Sequence, residues 1–386
     1  MSSHIDQEEV LTEILKRLPA NLLMKLRCVC KSWYSLISSP TFISTHTKYT
    51  LEKKNKTSKL LLRHYSWTEK KEIYTIHSSS SFCNQQFSHQ LVFPFKSYSQ
   101  YFDIIGSCNG LICLSDTYRI NTHTIILWNP SIGKSITLPL PCISFDLIYM
   151  FVLGFGFDEK RNKYKVVRIV YYIKDNGSKI DITPQVEVYE LGMVAWRSIR
   201  VKAAPKYVIS ELSLQIFLKD FVHWIGYNPN EADSNFRDLS IVLFDMSNEV
   251  FEELKLPDSV SGLSVLDLSI FASSNELLSL VQYDRHRHSQ WIQYGSCSIW
   301  VMKEYGKVES WTKQITIDLQ GGVGKALGLI GNDVEMLLVA CSNGELGSYD
   351  IQNQKISYLE IKGIVNSFYL DTYIETLILL DGDNGI

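Results

Sequence analysis

The chain has 386 residues, a formal net charge of −3, 12% aromatic residues and only 10 prolines. That length exceeds the rough 100–200 residues of one ordinary domain, and the aromatic content favours an ordered, strand-rich chain over a disordered one. The eight cysteines form no CxxC pair, MSSHIDQEEV is neither basic nor apolar enough to open a secretory signal, and no stretch approaches the roughly 18 apolar residues of a membrane span. These features predict a protein of the reducing cytosol, or of the nucleus, without disulfides and without a membrane partner. The sequons at Asn55 and Asn176 are then chance matches.

From Asp6 the pattern is helical. Asp6 with Glu9 makes a capping box, and Val10, Leu11, Ile14, Leu15 and Leu18 follow at three- and four-residue spacings before Pro19 ends the helix. Asn21 is placed to cap a second helix carrying Leu22, Leu23, Leu26, Val29, Cys30, Trp33, Leu36 and Ile37, with a break near Cys28 to Lys31 and closure at Pro40. Cys28 and Cys30 are too close for a redox pair or a zinc knuckle and read as small buried hydrophobes. Roughly forty residues in two or three short helices bury too little surface to be stable alone. The rest of the chain, or another protein, must cover them.

The stretch EILKRLPANLLMKLRCVCKSWYSLISSPTF resembles an F-box, the helical motif that docks on the Skp-type adaptor of a cullin-based ubiquitin ligase. HIDQEEV stands where the family often has an LP-type dipeptide. The resemblance implies an adaptor-docking domain over residues 4–45, with Ile14, Leu18, Pro19, Leu22, Leu23, Leu26, Val29, Cys30 and Trp33 as adaptor-binding residues. Leu22, Leu26 and Trp33 read equally well as internal core.

Residues 46–59 are polar and basic and read as a linker to a third region, 60–386. There the chain repeats. LWNPSIGKSITLP, VYELGMVAWRSI, LFDMSNEVFEELKLP, IWVMKEYGKVESWTKQITI and SYDIQNQKISYLEI each read as an apolar-aromatic strand, a polar turn and a second strand. Their aromatics Trp128, Tyr189, Phe244, Trp300 and Tyr349 recur near the roughly 50-residue period of kelch-like propeller blades, and NGLICL, DFVHWIG, NELLSLV and VEMLLVA supply a preceding strand to four of them. LLLRHY and KEIYTIH at the start, with SFYLDTYIETLILL at the end, would form one more blade from both termini. The predicted fold is mainly β: a small helical module followed by a roughly six-bladed kelch-like β-propeller, with seven blades as the alternative because residues 140–185 are irregular.

SCNGLICL, LWNPSIGKSITLP, LGFGFDEKRNKYKVVRI, VEVYELGMVAWRSI and IWVMKEYGKVESWTK resemble the F-box-associated domain of plant F-box proteins over most of residues 100–386. The ending, GELGSYDIQNQKISYLEIKG with SFYLDTYIETLILL, is similar to S-locus F-box proteins and their relatives, which recognise pistil ribonucleases in self-incompatibility. These resemblances imply a non-catalytic receptor subunit whose partners are a Skp-type adaptor, a cullin scaffold and a protein substrate such as an S-RNase.

Other motifs point nowhere else. LQGGVGKAL has Leu319 and Ala326 where a phosphate loop needs a glycine and a hydroxyl, so Lys325 is not a nucleotide ligand by this motif. His286 and His288 lack further metal ligands of suitable spacing, and His223-Trp224 reads as a strand with a satisfied imidazole. The tryptophans lack the basic groove that a nucleic-acid platform needs and read as packing between blades. No nucleophile with a positioned base stands out, and no cofactor is expected. Residues 1–60 hold ten Lys and Arg against five Asp and Glu, leaving 28 against 36 for the rest, an acidic receptor that repels nucleic acid and attracts basic proteins. The irregular loops between strands are the candidate substrate contacts, represented by Asp116, Arg119, Asp175, Asn230, Asp284 and His286.

Overall fold

A computed structural model describes residues 7–53, 59–78, 89–97, 101–116, 124–143, 150–175, 180–200, 205–211, 213–229, 238–260, 263–273, 276–285, 294–319, 322–330 and 336–379. Four helices come first: α1 (Gln7–Leu15), α2 (Ala20–Leu26), α3 (Lys31–Ser38) and α4 (Pro40–Glu52). The break expected near Cys28 to Lys31 separates α2 from α3. Asp6 of the expected capping box lies outside the described residues. Pro40 does not close the module: it takes the first turn of α4, where its fixed φ and missing N–H cost nothing, and the Ser39 hydroxyl caps that helix by accepting from Phe42 N at 3.2 Å.

The expected linker therefore starts inside a helix. α4 runs to Glu52, and His46, the first linker residue, is buried with its Nε2 3.0 Å from the Leu18 carbonyl. Sequence polarity misled here because only one face of α4 is covered: Phe42, Ile43 and His46 share it at helical spacing.

The strands then form six sheets arranged as blades. The chain enters with β1 (Lys59–Ser66), β2 (Lys71–Ser78) and β3 (His89–Gln90), which wait for a partner from the far terminus. Blade one is β4 (Asp103–Cys108), β5 (Leu111–Asp116), β6 (Thr124–Asn129) and β7 (Lys134–Thr137), and blade two is β8 (Met150–Asp158), β9 (Lys163–Asp175), β10 (Ile180–Glu190) and β11 (Arg197–Ile199). Blade three joins β12 (Val208–Ile209), β13 (Ile216–Leu218), β14 (Phe221–Tyr227), β15 (Leu239–Asp245) and β16 (Phe251–Lys255). Blade four is β17 (Leu268–Ala272), β18 (Leu278–Arg285), β19 (Tyr294–Met302) and β20 (Trp311–Asp318), and blade five is β21 (Val323–Ile330), β22 (Met336–Cys341), β23 (Glu345–Asp350) and β24 (Lys355–Lys362).

Closure comes from β25 (Tyr369–Tyr373), which pairs antiparallel with β1 from Lys59↔Tyr373 to Arg63↔Tyr369 and completes blade six. The count is six. The irregular region 140–185 contains a single long hairpin, β9 with β10, rather than an extra blade.

The repeated turns have a shared cause. An Asp or Asn at the end of a strand turns its side chain back onto the next backbone amides: Asn129 Oδ1 accepts from Ser131 N, Asp245 Oδ1 from Ser247 N and Asn248 N, and Asp350 Oδ1 from Gln352 N and Asn353 N, all at 2.8–3.0 Å. These are the N, D and D of WNPS, FDMSN and YDIQN. Trp128, Trp196, Trp224 and Trp311 pack between or within blades. Trp128 lies edge-on to Tyr74 of β2, Trp196 Nε1 donates to the Pro139 carbonyl, and Trp311 Nε1 donates to the Lys255 carbonyl of blade three. Trp224 Nε1 donates to Leu153 O, and its ring lies so close to Gly154 that a Cβ there would meet it at 2.4 Å. His223 is fully buried against the Ile216 and Phe221 carbonyls and the Tyr305 hydroxyl, and burial lowers its pKa to about 4, so it is neutral.

Among the described residues only one strand follows Ser367, fewer than SFYLDTYIETLILL suggested. After β25 the segment Ile374 to Leu379 leaves the sheet and becomes a plug. Leu377, Ile378 and Leu379 are buried in one cluster with Leu15, Leu23, Ile37 and Phe42 of the helices and with Cys108, Leu111 and Leu127 of blade one. Asn129 Nδ2 donates to the Thr376 and Ile378 carbonyls at 3.0 and 2.8 Å. Glu375 Oε2 accepts from Ala20 N at 3.2 Å, capping α2 where Asn21 had been expected to, and the same carboxylate pairs with Lys59. Leu377→Ala should cost about 2–5 kcal/mol, as for other buried leucines. Urea denaturation of the full chain checks this; an unchanged midpoint would show that the plug does not stabilise the fold.

Candidate docking and receptor faces

In each blade the chain enters at the innermost strand and works outward, so first-to-second and third-to-fourth turns share one face of the propeller and second-to-third turns share the other. The helical module sits on the first of these. Gly110, in the β4–β5 turn, is so close to the plug that a Cβ would meet the Ile374 carbonyl at 2.5 Å, and Asn129, at a third-to-fourth turn, holds the plug by hydrogen bonds.

On the helices the residues expected to bind an adaptor divide by exposure. Leu23 is completely buried and serves the internal core. Leu18, Leu26 and Trp33 are partly buried against that same cluster. Ile14 (56% exposed), Leu22 (39%) and Val29 (62%) remain accessible, as do Pro19 and Cys30. Cys28 and Cys30 are exposed, not buried as expected, because the break between α2 and α3 turns both out of the core. Val10 and Tyr34 (43% and 53% exposed) join this apolar surface, the latter with the Arg27 guanidinium 4.5 Å above its ring. Val10 was visible on the apolar stripe of α1. Nothing in the sequence pointed outward for Tyr34.

The six candidate substrate contacts fare differently. Asp116 is buried at the end of β5 and accepts from Ser97 Oγ at 3.0 Å. Asp284 lies within β18, accepting from Gln282 Nε2 at 3.1 Å and Ser296 Oγ at 2.7 Å. Both carboxylates serve local structure rather than a free loop. Asp175 ends β9, paired with Ile180. Arg119, Asn230 and His286 lie outside the described residues. The flanking strands still carry information: β5–β6, β9–β10, β14–β15 and β18–β19 are all second-to-third pairs. The strand ends that flank all four expected loops thus lie on the face opposite the helices. Trp67, 63% exposed, stands on the corresponding β1–β2 turn of blade six.

A buried ion network braces blades two and three beside the helical face. Lys165 Nζ lies 2.7 Å from Asp158 and 2.8 Å from Glu249, and Arg197 bridges Glu249 to Glu190. Hydrogen bonds from Lys165, Ser247 and Arg161 hold the Asp158 carboxyl well below the usual carboxylate range despite its burial.

The architecture is that of a small helical docking module fixed to one face of a six-bladed β-propeller. The F-box domain matches residues 8–45 and the F-box associated beta propeller domain matches residues 64–378, so the chain belongs to the F-box-associated propeller family. Among its curated relatives in Arabidopsis thaliana, an F-box protein is 26% identical over 97% of this chain and 92% of its own length. The F-box protein CPR1 is 26% identical over 96% of this chain and 88% of its own, and an F-box/kelch-repeat protein is 25% identical over 96% and 94%. F-box and propeller together fit a substrate receptor of Skp–cullin–F-box ligases, and the F-box implies a Skp-type adaptor and a protein substrate as partners.

The exposure pattern separates two kinds of substitution. Ile14→Asp with Val29→Asp should weaken adaptor binding by about 30-fold or more while leaving stability within roughly 0.5 kcal/mol, because both side chains already face water. Leu23→Ala should instead cost stability first, about 2–5 kcal/mol. Adaptor titration beside denaturant melts distinguishes the two; full affinity in the double variant would place docking elsewhere.

Proposed function

We propose that this chain is the substrate-recognition subunit of a Skp–cullin–F-box ubiquitin ligase and does no chemistry itself. The observation that carries this reading is the opposition of faces: exposed apolar side chains of an F-box on one side, loop-bearing strand ends on the other. A client held on the second face is kept near the ligase without obstructing it. Its lysines then meet the ubiquitin carrier at raised effective concentration, and the transfer is performed by other subunits.

The client proposed is a basic secreted-type ribonuclease, an S-RNase, in the manner of S-locus F-box proteins. Support comes from the resemblance of the segments at 344–363 and 367–380 to those proteins and from the acidic excess beyond residue 60. Exposed ion pairs add little affinity each, about 0.2–1 kcal/mol, but complementary charge raises the association rate. The expected contacts are the loops that include Arg119, Asn230 and His286, with the end of the β9–β10 hairpin. A binding module that promotes no degradation would show the client without the cullin.

The test is kinetic. Association of the full chain with a panel of basic ribonucleases should slow as salt rises, with dissociation nearly constant. Exchanging the loops at 117–123, 176–179, 230–237 and 286–293 for those of a related propeller should change which ribonuclease binds. Salt-independent association together with unchanged client choice would reject this client.

A further inference from the structure

The third-to-fourth turns of the blades lie on the face that carries the helical module, and one of them differs from the others. Among the described residues, blades one, three, four and five turn through PSIG, MSNEV, KEYGKVES and IQNQ. Apolar side chains in these turns are at least partly covered: Met246 is buried, and Ile132, Tyr305 and Ile351 pack against the blade clusters. Blade two turns through LGMVAW between β10 and β11, and there Met193 is 57% exposed and Val194 92%. The turn does not need them. Gly192, at φ +94°, and the hydrogen bond from Met193 N to Glu190 O at 3.0 Å set its shape through the backbone, so polar side chains would serve as well at 193 and 194.

What fixes the turn also places it. Leu191 and Trp196, at its two ends, are buried in the cluster that holds Leu15, Leu23, Ile37 and Phe42 of the four helices. Trp196 Nε1 donates to the Pro139 carbonyl at 2.8 Å, which brings the next residue, Leu140, alongside, and Leu140 is 74% exposed. Three large apolar side chains thus stand in water on ground that also seats the helical module, whose own Val10, Ile14, Leu22 and Val29 are exposed. A single exposed valine needs no explanation, but neighbouring apolar groups in an otherwise covered set of turns mark a surface that a partner buries.

We propose that the β10–β11 turn, together with Leu140, is a second contact for the Skp-type adaptor, extending the F-box interface onto the propeller through an apolar patch of that partner. Continuity selects the adaptor. The turn and the F-box share one buried cluster and one face of the ring, whereas the strand ends flanking the expected client loops lie on the other. The ionic groups at the ends of the turn, Glu190 and Arg197, pair with each other at 2.8 Å, so the contact is apolar rather than ionic. This inference rests on the receptor reading above and adds to it a part for the propeller in holding the ligase.

Adaptor titration of the full chain is the test. Met193→Ser with Val194→Asn removes the apolar pair without adding a charge beside Glu190, and it should weaken adaptor binding about 5- to 10-fold, as befits a contact away from the centre of an interface. The urea midpoint should not move, because both side chains already face water. Leu140→Ser should deepen the loss. In the unaltered protein, the amides of 192–195 should exchange with deuterium several-fold more slowly once the adaptor is bound. Full affinity in the turn variant, where Ile14→Asp with Val29→Asp loses it, would overturn the second contact and leave the F-box reading standing; full affinity in both variants would overturn the two together. Unchanged exchange at 192–195 in the complex would also overturn the contact. So would a turn variant that breaks up a dimer of the chain while binding the adaptor normally, since a second copy would then be the occupant.

Discussion

The pairing of β25 with β1 is the contact on which the molecule turns, because five register pairs join residues more than three hundred positions apart. Without β25, blade six would lack its inner strand and present β1 as an open edge, and an unpaired edge is a template for aggregation. The entropic cost of closing so long a loop grows only with the logarithm of its length, so a short strand is enough to hold it once each blade has formed. The same closure sets the central channel, since β25 supplies one of its walls. It also delivers residues 374–379 to the place where helices and propeller meet. There Glu375 caps α2, Asn129 clamps the plug, and Leu377 fills the gap. Ring closure and the seat of the F-box are therefore one event in the chain.

Much of this was legible. Outer strands announce themselves because an aromatic strand, an Asp or Asn that folds back on its own turn and a second strand recur in order; WNPS, FDMSN and YDIQN carry the signal in single letters. Apart from β25, the innermost strands were harder to read. DIIGSC, LSIFA and VGKALGLI have no turn signature of that kind, and the inner edge of blade three is split between strands of two and three residues. Such segments are strands because their neighbours pair with them and because the ring leaves no other place for them, a tertiary cause that no local pattern records.

The docking face was half legible for a related reason. An apolar stripe tells which residues avoid water, not which of two partners covers them. Leu22 and Leu23 are adjacent in sequence, yet one is accessible and the other completely buried, because the propeller plug takes only one side of α2. The cysteines were misjudged by assuming that the break between helices points inward. Among the receptor residues, Asp116 and Asp284 were chosen as polar groups near turns, and such groups are also what strands use to tie themselves to neighbours. Lys325, weighed as a nucleotide ligand, lines the channel wall, a place that depends on where β21 sits in the ring.

The opposition of the two faces follows from strand order rather than from any specific contact. Once every blade runs from inside to outside, even and odd turns must separate to opposite sides, and whatever binds at the second-to-third turns is held away from whatever binds the helices. Rigidity makes that separation useful. The helices share a buried cluster with blade one, and the ion network of Asp158, Lys165, Glu249 and Arg197 ties blade two to blade three, so the two faces are held rigidly relative to each other. A tether of flexible chain would give a broad distribution of distances and a low effective concentration at any one of them. A closed ring with a plugged seat gives one distance, and loops can then vary at the far turns without altering it.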